Sequence, residues 1–418
     1  MFQRVRLGSY RRSPLQAWAE VDWWLLFTCV GLTVLGGIMI RSVELNQGLT
    51  DWWQHWVTGG VGLVLAFAIA RSNYEKLLAW KWVIYIGVIL PLIAVQFIGT
   101  TALGAQRWIN IGGFHVQPSE FAKVGIIVVL AALLNNLKTP AIPDMVKMLL
   151  IAAVPWGLVF IEPNLGTSLI FGAITFGMLY WGDVHPGWLL LLISPIFAAI
   201  FANVYEPAWI VWAVSMGFVG WWSLPWRWLT GPMALGVNLG AGKVGHMFWD
   251  LLQDYQKQRL IGFLNPENDP QGAGYHLIQS RIAIGSGQLY GRGLYQGTQT
   301  QLNFIPEQHT DFIFSAIGEE LGFIGCIIVL VAFWFICLRL VTIAQTARDS
   351  FGSLIAIGVL SMLIFQVFVN IGMNIGLAPV TGIPLPFLSY GRSALLSNFI
   401  AIGLVESVAN FRQRRRFF

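Results

Sequence analysis

The chain has 418 residues, of which 56% are hydrophobic and only 11% are charged, and it contains 45 glycines, 28 phenylalanines and 20 tryptophans. This composition excludes a disordered chain and disfavours an ordinary soluble globular protein. The formal net charge is +5, with arginines concentrated near both ends of the chain.

Long uncharged stretches recur from one end of the chain to the other. A helix of about 18 residues rises about 27 Å, close to the thickness of the hydrocarbon core of a bilayer. Pro379, Pro384 and Pro386 interrupt the last long stretch and predict a loop before a final helix. The sequence therefore predicts an all-α polytopic integral membrane protein with ten transmembrane helices, at 22–41, 53–70, 82–99, 119–137, 147–162, 165–182, 186–204, 312–338, 352–378 and 392–411.

A tryptophan-rich apolar segment at 207–252 follows the seventh predicted helix. We expect breaks at 225–228 and at Pro232, because proline removes a backbone donor and disfavours a continuous helix. The segment is interpreted as an extra hairpin, which would raise the number of spans to twelve. An interfacial or re-entrant helix is the alternative interpretation.

Basic residues flank both ends of the predicted bundle. Under the positive-inside rule they place both termini in the cytoplasm and require an even number of spans. Topology and anionic lipid headgroups account for these arginines, so no nucleic-acid partner is expected. We therefore predict a multi-pass membrane protein with both termini in the cytoplasm. The residues are Arg4, Arg6, Arg11 and Arg12 before the first helix, and Arg412, Arg414, Arg415 and Arg416 after the last.

Residues 250–320 hold eight of the 20 acidic residues. A segment this polar is excluded from lipid, and the predicted topology places it outside the cytoplasm, where long loops are usually functional. We accordingly divide the chain into three parts. They are N-terminal membrane helices with a Trp-rich insertion at 205–249 (1–249), an extracytoplasmic catalytic loop (250–311), and C-terminal membrane helices with a basic tail (312–418).

Asp269 lies between Pro266 and Pro270 in this loop. Prolines on both sides restrict the backbone, which would hold a carboxylate in a fixed direction for chemistry. The alternative is an aspartate that supports a turn, and the local sequence by itself favours this alternative.

Closely spaced glycines follow, interleaved with Gln279, Ser280 and Arg281. Glycines beside polar and basic side chains can let the backbone approach a phosphate closely. The pattern is neither a Walker loop nor a dinucleotide-binding fingerprint, so it only weakly indicates a nucleotide site.

Glu307, His309 and Asp311 alternate just before an apolar helix, and Glu319 and Glu320 lie where that helix begins. Carboxylates with a histidine can bind a divalent cation, but no recognised metal-binding spacing is present. A polar network that anchors the loop is the favoured interpretation.

Glu120 and Lys123 lie three residues apart at the start of the fourth predicted helix. This spacing puts both on one helix face, where each lowers the other's cost of entering the membrane, and intramembrane charges are functional candidates by default. A purely structural ion pair is the alternative. Arg107, in the preceding polar loop, adds a cation suited to a diphosphate, although alone it could merely anchor the interface.

Five motifs together resemble the SEDS family (shape, elongation, division and sporulation), and the resemblance spans nearly the whole chain. The sequences of residues 275–280 and 297–302 resemble those of the elongation member of the family more than those of the division member. The motifs lie at Gln117–Lys123, Glu162–Thr167, Asn265–Ser280, Ile305–Phe314 and Pro384–Gly391.

The resemblance implies a peptidoglycan glycosyltransferase that polymerises lipid II outside the cytoplasmic membrane and works with a class B penicillin-binding protein. Asp269 matches the family's essential loop aspartate and is the expected general base. Glu120 and Lys123 match the family's polar pair, and Arg107 matches a basic residue. Asn164 stands where many relatives carry Asp, so no acid role is assigned there.

The expected partners are lipid II, the growing lipid-linked glycan, the penicillin-binding protein and membrane lipids. Mg²⁺ or Mn²⁺ could bind the diphosphate together with the cations Arg107 and Lys123, held largely by the substrate. Two other functions stay open: a flippase gated by Glu120 and Lys123, and a non-enzymatic scaffold. The expected substrate-binding residues are Arg107, Glu120, Lys123, Gln279, Ser280, Arg281, Glu307, His309 and Asp311.

Overall fold

The computed structural model describes residues 21–44, 52–102, 105–135, 137, 142–162, 164–251, 257, 263, 274–302, 304–305 and 307–411. The expected base Asp269 and the arginines of both termini lie outside the described residues. The helices are α1 (Trp23–Glu44), α2 (Trp53–Arg71), α3 (Lys76–Ala79), α4 (Lys81–Ile98), α5 (Pro118–Leu134), α6 (Ile142–Ile161), α7 (Leu165–Trp181), α8 (Pro186–Val204), α9 (Glu206–Ser223), α10 (Arg227–Leu251), α11 (Tyr275–Ser286), α12 (Thr298–Gln301), α13 (Ile313–Thr346), α14 (Ser350–Ile375) and α15 (Arg392–Asn410). Three strands, β1 (Thr100–Ala102), β2 (Ala105–Ile111) and β3 (Phe114–Val116), lie between α4 and α5.

The structure confirms a helical multi-pass membrane protein. Each of the ten predicted helices has a counterpart with similar bounds. In the described part of the chain, eight helices are long and apolar enough to cross a membrane, namely α1, α2, α4, α6, α8, α13, α14 and α15. Helix α7 is apolar but slightly shorter, and the 17-residue α5 carries Glu120 and Lys123.

Helices α14 and α15 form the centre of the bundle. In the most apolar 18-residue stretch of each helix, 89% of the residues of α15 and 72% of those of α14 are buried, against 17% of those of α4. Helix α4 therefore lies at the periphery. Helix α15 packs most extensively on α2, and α14 packs on α13, α7 and α5. A side chain at Gly403 would collide with the backbone of Ala66, so this glycine permits the close approach of α15 to α2.

The Trp-rich segment forms a helical hairpin, α9 and α10, which packs on itself and on α8. Polar contacts hold it there: the Asn238 amide donates to the Ser194 hydroxyl at 3.0 Å, and Trp212 donates to the Ser194 carbonyl at 3.0 Å. The predicted break at Pro232 is wrong, because this residue lies inside α10. A proline inside a helix removes one backbone hydrogen bond and can bend the helix without ending it. That the hairpin crosses the membrane stays a prediction.

A three-stranded antiparallel sheet in the order β1-β2-β3 replaces the irregular loop expected between α4 and α5. Gly112 and Gly113, with φ of +59° and +85°, form the turn between β2 and β3. Two glycines with positive φ are typical of a tight hairpin turn. The sheet contacts α4 and α5, and the end of the bundle where it lies is called the sheet end below.

Helix α13 is interrupted at Gly322, whose φ of 68° and ψ of −166° are non-helical. The loop after α11 fills the interruption: its backbone forms four hydrogen bonds with the groups that the break frees. Broken helices persist in membrane proteins only where the freed backbone groups find such partners. The bonds are Phe323 N to Gln288 O (2.8 Å), Ile324 N to Leu289 O (3.2 Å), Arg292 N to Glu319 O (2.9 Å) and Gly293 N to Glu320 O (3.0 Å).

Glu319 and Glu320 anchor the same loop through their side chains. The Glu319 carboxylate accepts from the backbone N–H groups of Gln299 at 2.8 Å and Thr300 at 2.9 Å, at the start of α12. The Ser42 hydroxyl of α1 lies 2.6 and 2.7 Å from the two oxygens of Glu320 and also accepts from the Tyr295 N–H of the loop at 3.2 Å, which ties the loop to α1 and α13. These contacts form an anchoring network of the kind expected from the sequence.

We predict that Gly322→Ala destabilises the protein. The backbone conformation at this position is accessible almost only to glycine and should cost about 1–3 kcal/mol with any other residue. An added Cβ would also meet the backbone of residues 289–291. Thermal unfolding of the purified protein in detergent should therefore show a lower midpoint.

Gly172→Ala is the matched control, because a Cβ at that helical glycine meets nothing within 4 Å. It should leave the midpoint unchanged or raise it slightly. Equal midpoints for Gly322→Ala and wild type would contradict the role assigned to the break.

Candidate active site

Polar groups at the sheet end gather around the segment that joins α14 to α15. We define the α14–α15 connection as residues 376–397, which comprise the loop after α14 and the first turns of α15. Its contacts reach α5, α7, α11 and the loop before α13.

Glu120 and Lys123 form a buried ion pair in the first turns of α5, with Pro118 at the helix start. The Lys123 Nζ lies 2.7 Å from Glu120 Oε2, and the side chains are 0% and 3% exposed. The Ser397 hydroxyl of the connection lies 3.4 Å from the same carboxylate oxygen. The predicted pairing on one helix face is confirmed, and the substrate role of the pair stays a prediction.

The start of α15 is fixed to the sheet and to α5. The Ser393 hydroxyl accepts from the Gln117 N–H at 3.0 Å and donates to the His115 carbonyl at 3.3 Å. The Arg392 guanidinium lies 4.8 Å from the centre of the Phe114 ring, a cation–π geometry. Arg392 is a cation of this end of the bundle that the sequence did not single out.

Arg107, on β2, contacts the turn between α6 and α7. Its Nε donates to the main-chain oxygen of Glu162 at 3.1 Å. Burial raises the pKa of the Glu162 carboxyl to about 8, although the positive charge of Arg107 opposes the shift. Asn164 has a structural role: its side chain accepts from the Thr167 N–H at 3.3 Å and caps α7.

The loop before α13 is held by its backbone. Asn370 and Asn374 of α14 donate to the main-chain oxygen of Asp311 at 3.0 and 3.1 Å. The Tyr390 N–H of the connection donates to the His309 carbonyl at 2.8 Å. Glu307 is exposed with a φ of +53°.

His309 also approaches α1 through its side chain. Its Nδ1 lies 3.8 Å from Glu44 Oε1 at the end of that helix. Burial lowers the pKa of His309, and the Glu307 carboxylate partly opposes the shift. A neutral imidazole donates a hydrogen bond through one ring nitrogen and accepts one through the other, according to its tautomer.

Helix α11 carries the three remaining candidates. The Ser280 hydroxyl is buried and donates to the Asn374 carbonyl at 2.7 Å, so it fixes α11 to α14. Arg281 is exposed, and its guanidinium lies against Gly376, the residue that ends α14 in a left-handed conformation. Gln279 is half-buried on the same helix.

The structure thus brings the described candidates to one end of the bundle. Among the described residues, no group of three or more His, Cys, Asp or Glu residues is arranged to hold a metal ion. Sequence reasoning missed Glu44, Glu162, Tyr390, Asn370 and Asn374. The spacing of the two asparagines, one helical turn apart in an apolar helix, was a readable signal.

An apolar groove of about 680 Å³ runs between α4 and α5 below the sheet. Its wall on α5 includes Ala122, the neighbour of Lys123, and its upper edge includes Ile109, two residues after Arg107. An apolar groove of this kind suits the apolar part of a ligand. The lining residues are Ile84, Gly87, Val88, Leu90, Pro91, Ala94, Ile109, Val116, Pro118, Phe121, Ala122 and Gly125.

We predict that Lys123→Met strongly destabilises the protein, because it leaves the Glu120 carboxylate buried without its cation. Breaking a buried pair in this way typically costs about 3–5 kcal/mol. The double variant Glu120→Gln/Lys123→Met removes both charges and should unfold at a higher temperature than Lys123→Met alone. Thermal unfolding in detergent compares the two, and a double variant less stable than Lys123→Met would contradict the pairing.

Comparison with known proteins places this chain in a family. A sequence profile of the cell cycle proteins FtsW, RodA and SpoVE matches residues 22–414. The chain is 36% identical to the peptidoglycan glycosyltransferase MrdB of Escherichia coli K12 over 354 residues, which cover 84% of each protein. It is 34% identical to the peptidoglycan glycosyltransferase RodA of Treponema pallidum, with 94% of this chain and 98% of the relative covered.

Solved structures share the fold. A chain from a peptidoglycan synthase complex that coordinates polymerization and crosslinking matches with a TM-score of 0.71 at 29% identity, covering 94% of this chain and 98% of that one. The rod shape determining protein RodA of Thermus thermophilus matches with a TM-score of 0.63 at 24% identity, covering 95% and 99%. From its sequence motifs, its bundle and these relatives, the chain belongs to the FtsW/RodA/SpoVE family, the SEDS family that the motifs indicated.

Proposed function

We propose that this protein is a peptidoglycan glycosyltransferase that polymerises lipid II at the outer face of the bacterial cytoplasmic membrane during cell elongation. The observation that carries the proposal is the match to two peptidoglycan glycosyltransferases, at 36% and 34% identity over 84% and 94% of the chain. The convergence of cations, carboxylates and an apolar groove at the sheet end supports it independently.

The substrate has an apolar polyprenyl tail, a diphosphate and a sugar head, and each part finds a matching surface. We assign the tail to the groove between α4 and α5, which opens among membrane-facing helices. The diphosphate is assigned to Arg107 and Lys123. Because the Lys123 side chain is 0% exposed whereas Arg107 is only half-buried, Arg107 is the stronger candidate for direct contact.

The reaction joins an acceptor sugar hydroxyl to the anomeric carbon of a lipid-linked donor. The hydroxyl oxygen forms the new bond, the bond from the anomeric carbon to the diphosphate breaks, and polyprenyl diphosphate leaves. A general base takes the hydroxyl proton, and cations stabilise the charge that develops on the leaving group. Direct displacement inverts the anomeric carbon and needs no carboxylate nucleophile.

Two loop carboxylates qualify as the base. Asp269 is the one that the family resemblance nominates. Asp311 is the alternative, because Asn370 and Asn374 hold its main-chain oxygen at 3.0 and 3.1 Å next to the start of α13. A base must be held in place to act, and these bonds fix the backbone of Asp311. The proposal keeps Asp269 and treats Asp311 as the alternative to be tested.

The proposed partner is a class B penicillin-binding protein, which would crosslink the glycan. A structural neighbour of this chain belongs to a synthase complex that coordinates polymerization and crosslinking. Both termini lie in the cytoplasm and the polar loop outside it. Mg²⁺ or Mn²⁺ would be held largely by the diphosphate of the substrate.

We predict that Asp269→Asn lowers the rate of lipid II polymerisation at least about 100-fold, the usual scale for losing a general base. The assay uses labelled lipid II and the purified protein, with and without its penicillin-binding partner. Asp311→Asn is measured in parallel.

Asp183→Asn is the control. Asp183 is exposed and distant in sequence from these groups, and asparagine tolerates its φ of +61°. It should polymerise at the wild-type rate. Loss in Asp311→Asn with normal turnover in Asp269→Asn would move the base to Asp311. No glycan from wild type, with lipid II still crossing the bilayer, would replace the transferase with a flippase. Neither activity, together with normal cell shape in both variants, would leave a scaffold.

A further inference from the structure

Glu162 is a buried carboxyl group that the proposed reaction does not use. It follows the last residue of α6 directly and is 3% exposed. Neither of its carboxyl oxygens has a hydrogen-bond partner among the described residues. A buried carboxylate without partners is strongly disfavoured relative to its neutral form, so the environment favours the protonated acid.

The Arg107 guanidinium lies beside this acid. Its Nε donates to the main-chain oxygen of Glu162 at 3.1 Å. The positive charge therefore lies close to a carboxyl group that accepts no hydrogen bond among the described residues. Burial and the arginine therefore act in opposite directions, and burial is the stronger effect, since the pKa of Glu162 is raised to about 8.

The other side chains around this turn are neutral. Asn164 and Thr167 lie on α7, and Thr381 of the α14–α15 connection contacts the turn at Gly166. On the sheet side, Gln106 donates to the carbonyl of Gly99 at 2.8 Å. Arg107 is thus the charged group that faces Glu162 in the described part of the chain. With asparagine at 164, Glu162 is also the acid of the Glu162–Thr167 turn.

We propose that Glu162 is a positioning residue for Arg107: its neutral form does not compete with the substrate diphosphate for the guanidinium, and its ionised form does compete by pairing with Arg107. This inference rests on the proposed function, because the anion at Arg107 is the diphosphate of the lipid-linked substrate. The step is a proton equilibrium, in which the Glu162 carboxyl releases its proton to solvent and gains an ion pair with the guanidinium.

The sign of the pH dependence follows from the raised pKa. Below about pH 8 the carboxyl is neutral and Arg107 binds the diphosphate. Above it the neutral fraction falls about tenfold per pH unit, and the apparent affinity for an anion falls with it. A bound diphosphate in turn disfavours ionisation of its neighbour, so substrate binding and proton binding support each other.

The test is the KM for lipid II of the purified protein from about pH 6 to about pH 10. Wild type should show a KM that rises several-fold to about tenfold per unit above about pH 8. Glu162→Gln carries an amide that is neutral at every pH, so its KM should stay low and flat across the range. Glu206→Gln, at an exposed acid of α9, is the control and should keep the wild-type profile.

A second measurement does not depend on turnover. Infrared difference spectroscopy of the purified protein should show a protonated-carboxyl band that disappears above about pH 8 and is missing in Glu162→Gln. Wild type without any glycosyltransferase activity, but with this titrating band, would refute the proposed function and leave the protonation of Glu162 established. A rise in KM that is identical in wild type and Glu162→Gln, or a band unaffected by the substitution, would overturn the inference.

Discussion

Asn370 and Asn374 donate three hydrogen bonds to main-chain carbonyls outside α14, two to Asp311 and one to Ile383. These bonds hold the loop before α13 and the α14–α15 connection against the same helix. Inside a bundle of apolar helices, an irregular backbone persists only where its polar groups are satisfied. The two amides meet this requirement, and they thereby allow two irregular segments to lie where a site can form.

The α14–α15 connection links these bonds to the other elements of the sheet end. Ser397 reaches the Glu120–Lys123 pair, Tyr390 holds the loop at His309, and Ser393 fixes the start of α5. On α13, the break at Gly322 is filled by the loop after α11, so the polar loop is joined to a membrane helix by backbone bonds. Rigid placement of this kind is what positioned acid, base and cation groups require.

The helices and the local pairs were predictable from the sequence, because uncharged runs and helical spacing are short-range signals. Glu120 and Lys123 were paired correctly for that reason. The convergence of groups was not predictable, since contacts such as Ser397 with Glu120 and His309 with Glu44 join residues distant in the chain. Glu162 was read as part of a turn, because burial without a partner is invisible in a sequence. The sheet between α4 and α5 was missed because its strands are short.

The central claim is that the lipid-linked substrate lies with its tail between α4 and α5 and its diphosphate at Arg107. A cryo-EM structure of the protein with lipid II bound measures this directly. The account predicts diphosphate density within hydrogen-bonding distance of the Arg107 guanidinium, continuous with tail density along the groove below the sheet. Diphosphate density away from Arg107, with the tail between another pair of helices, would contradict it.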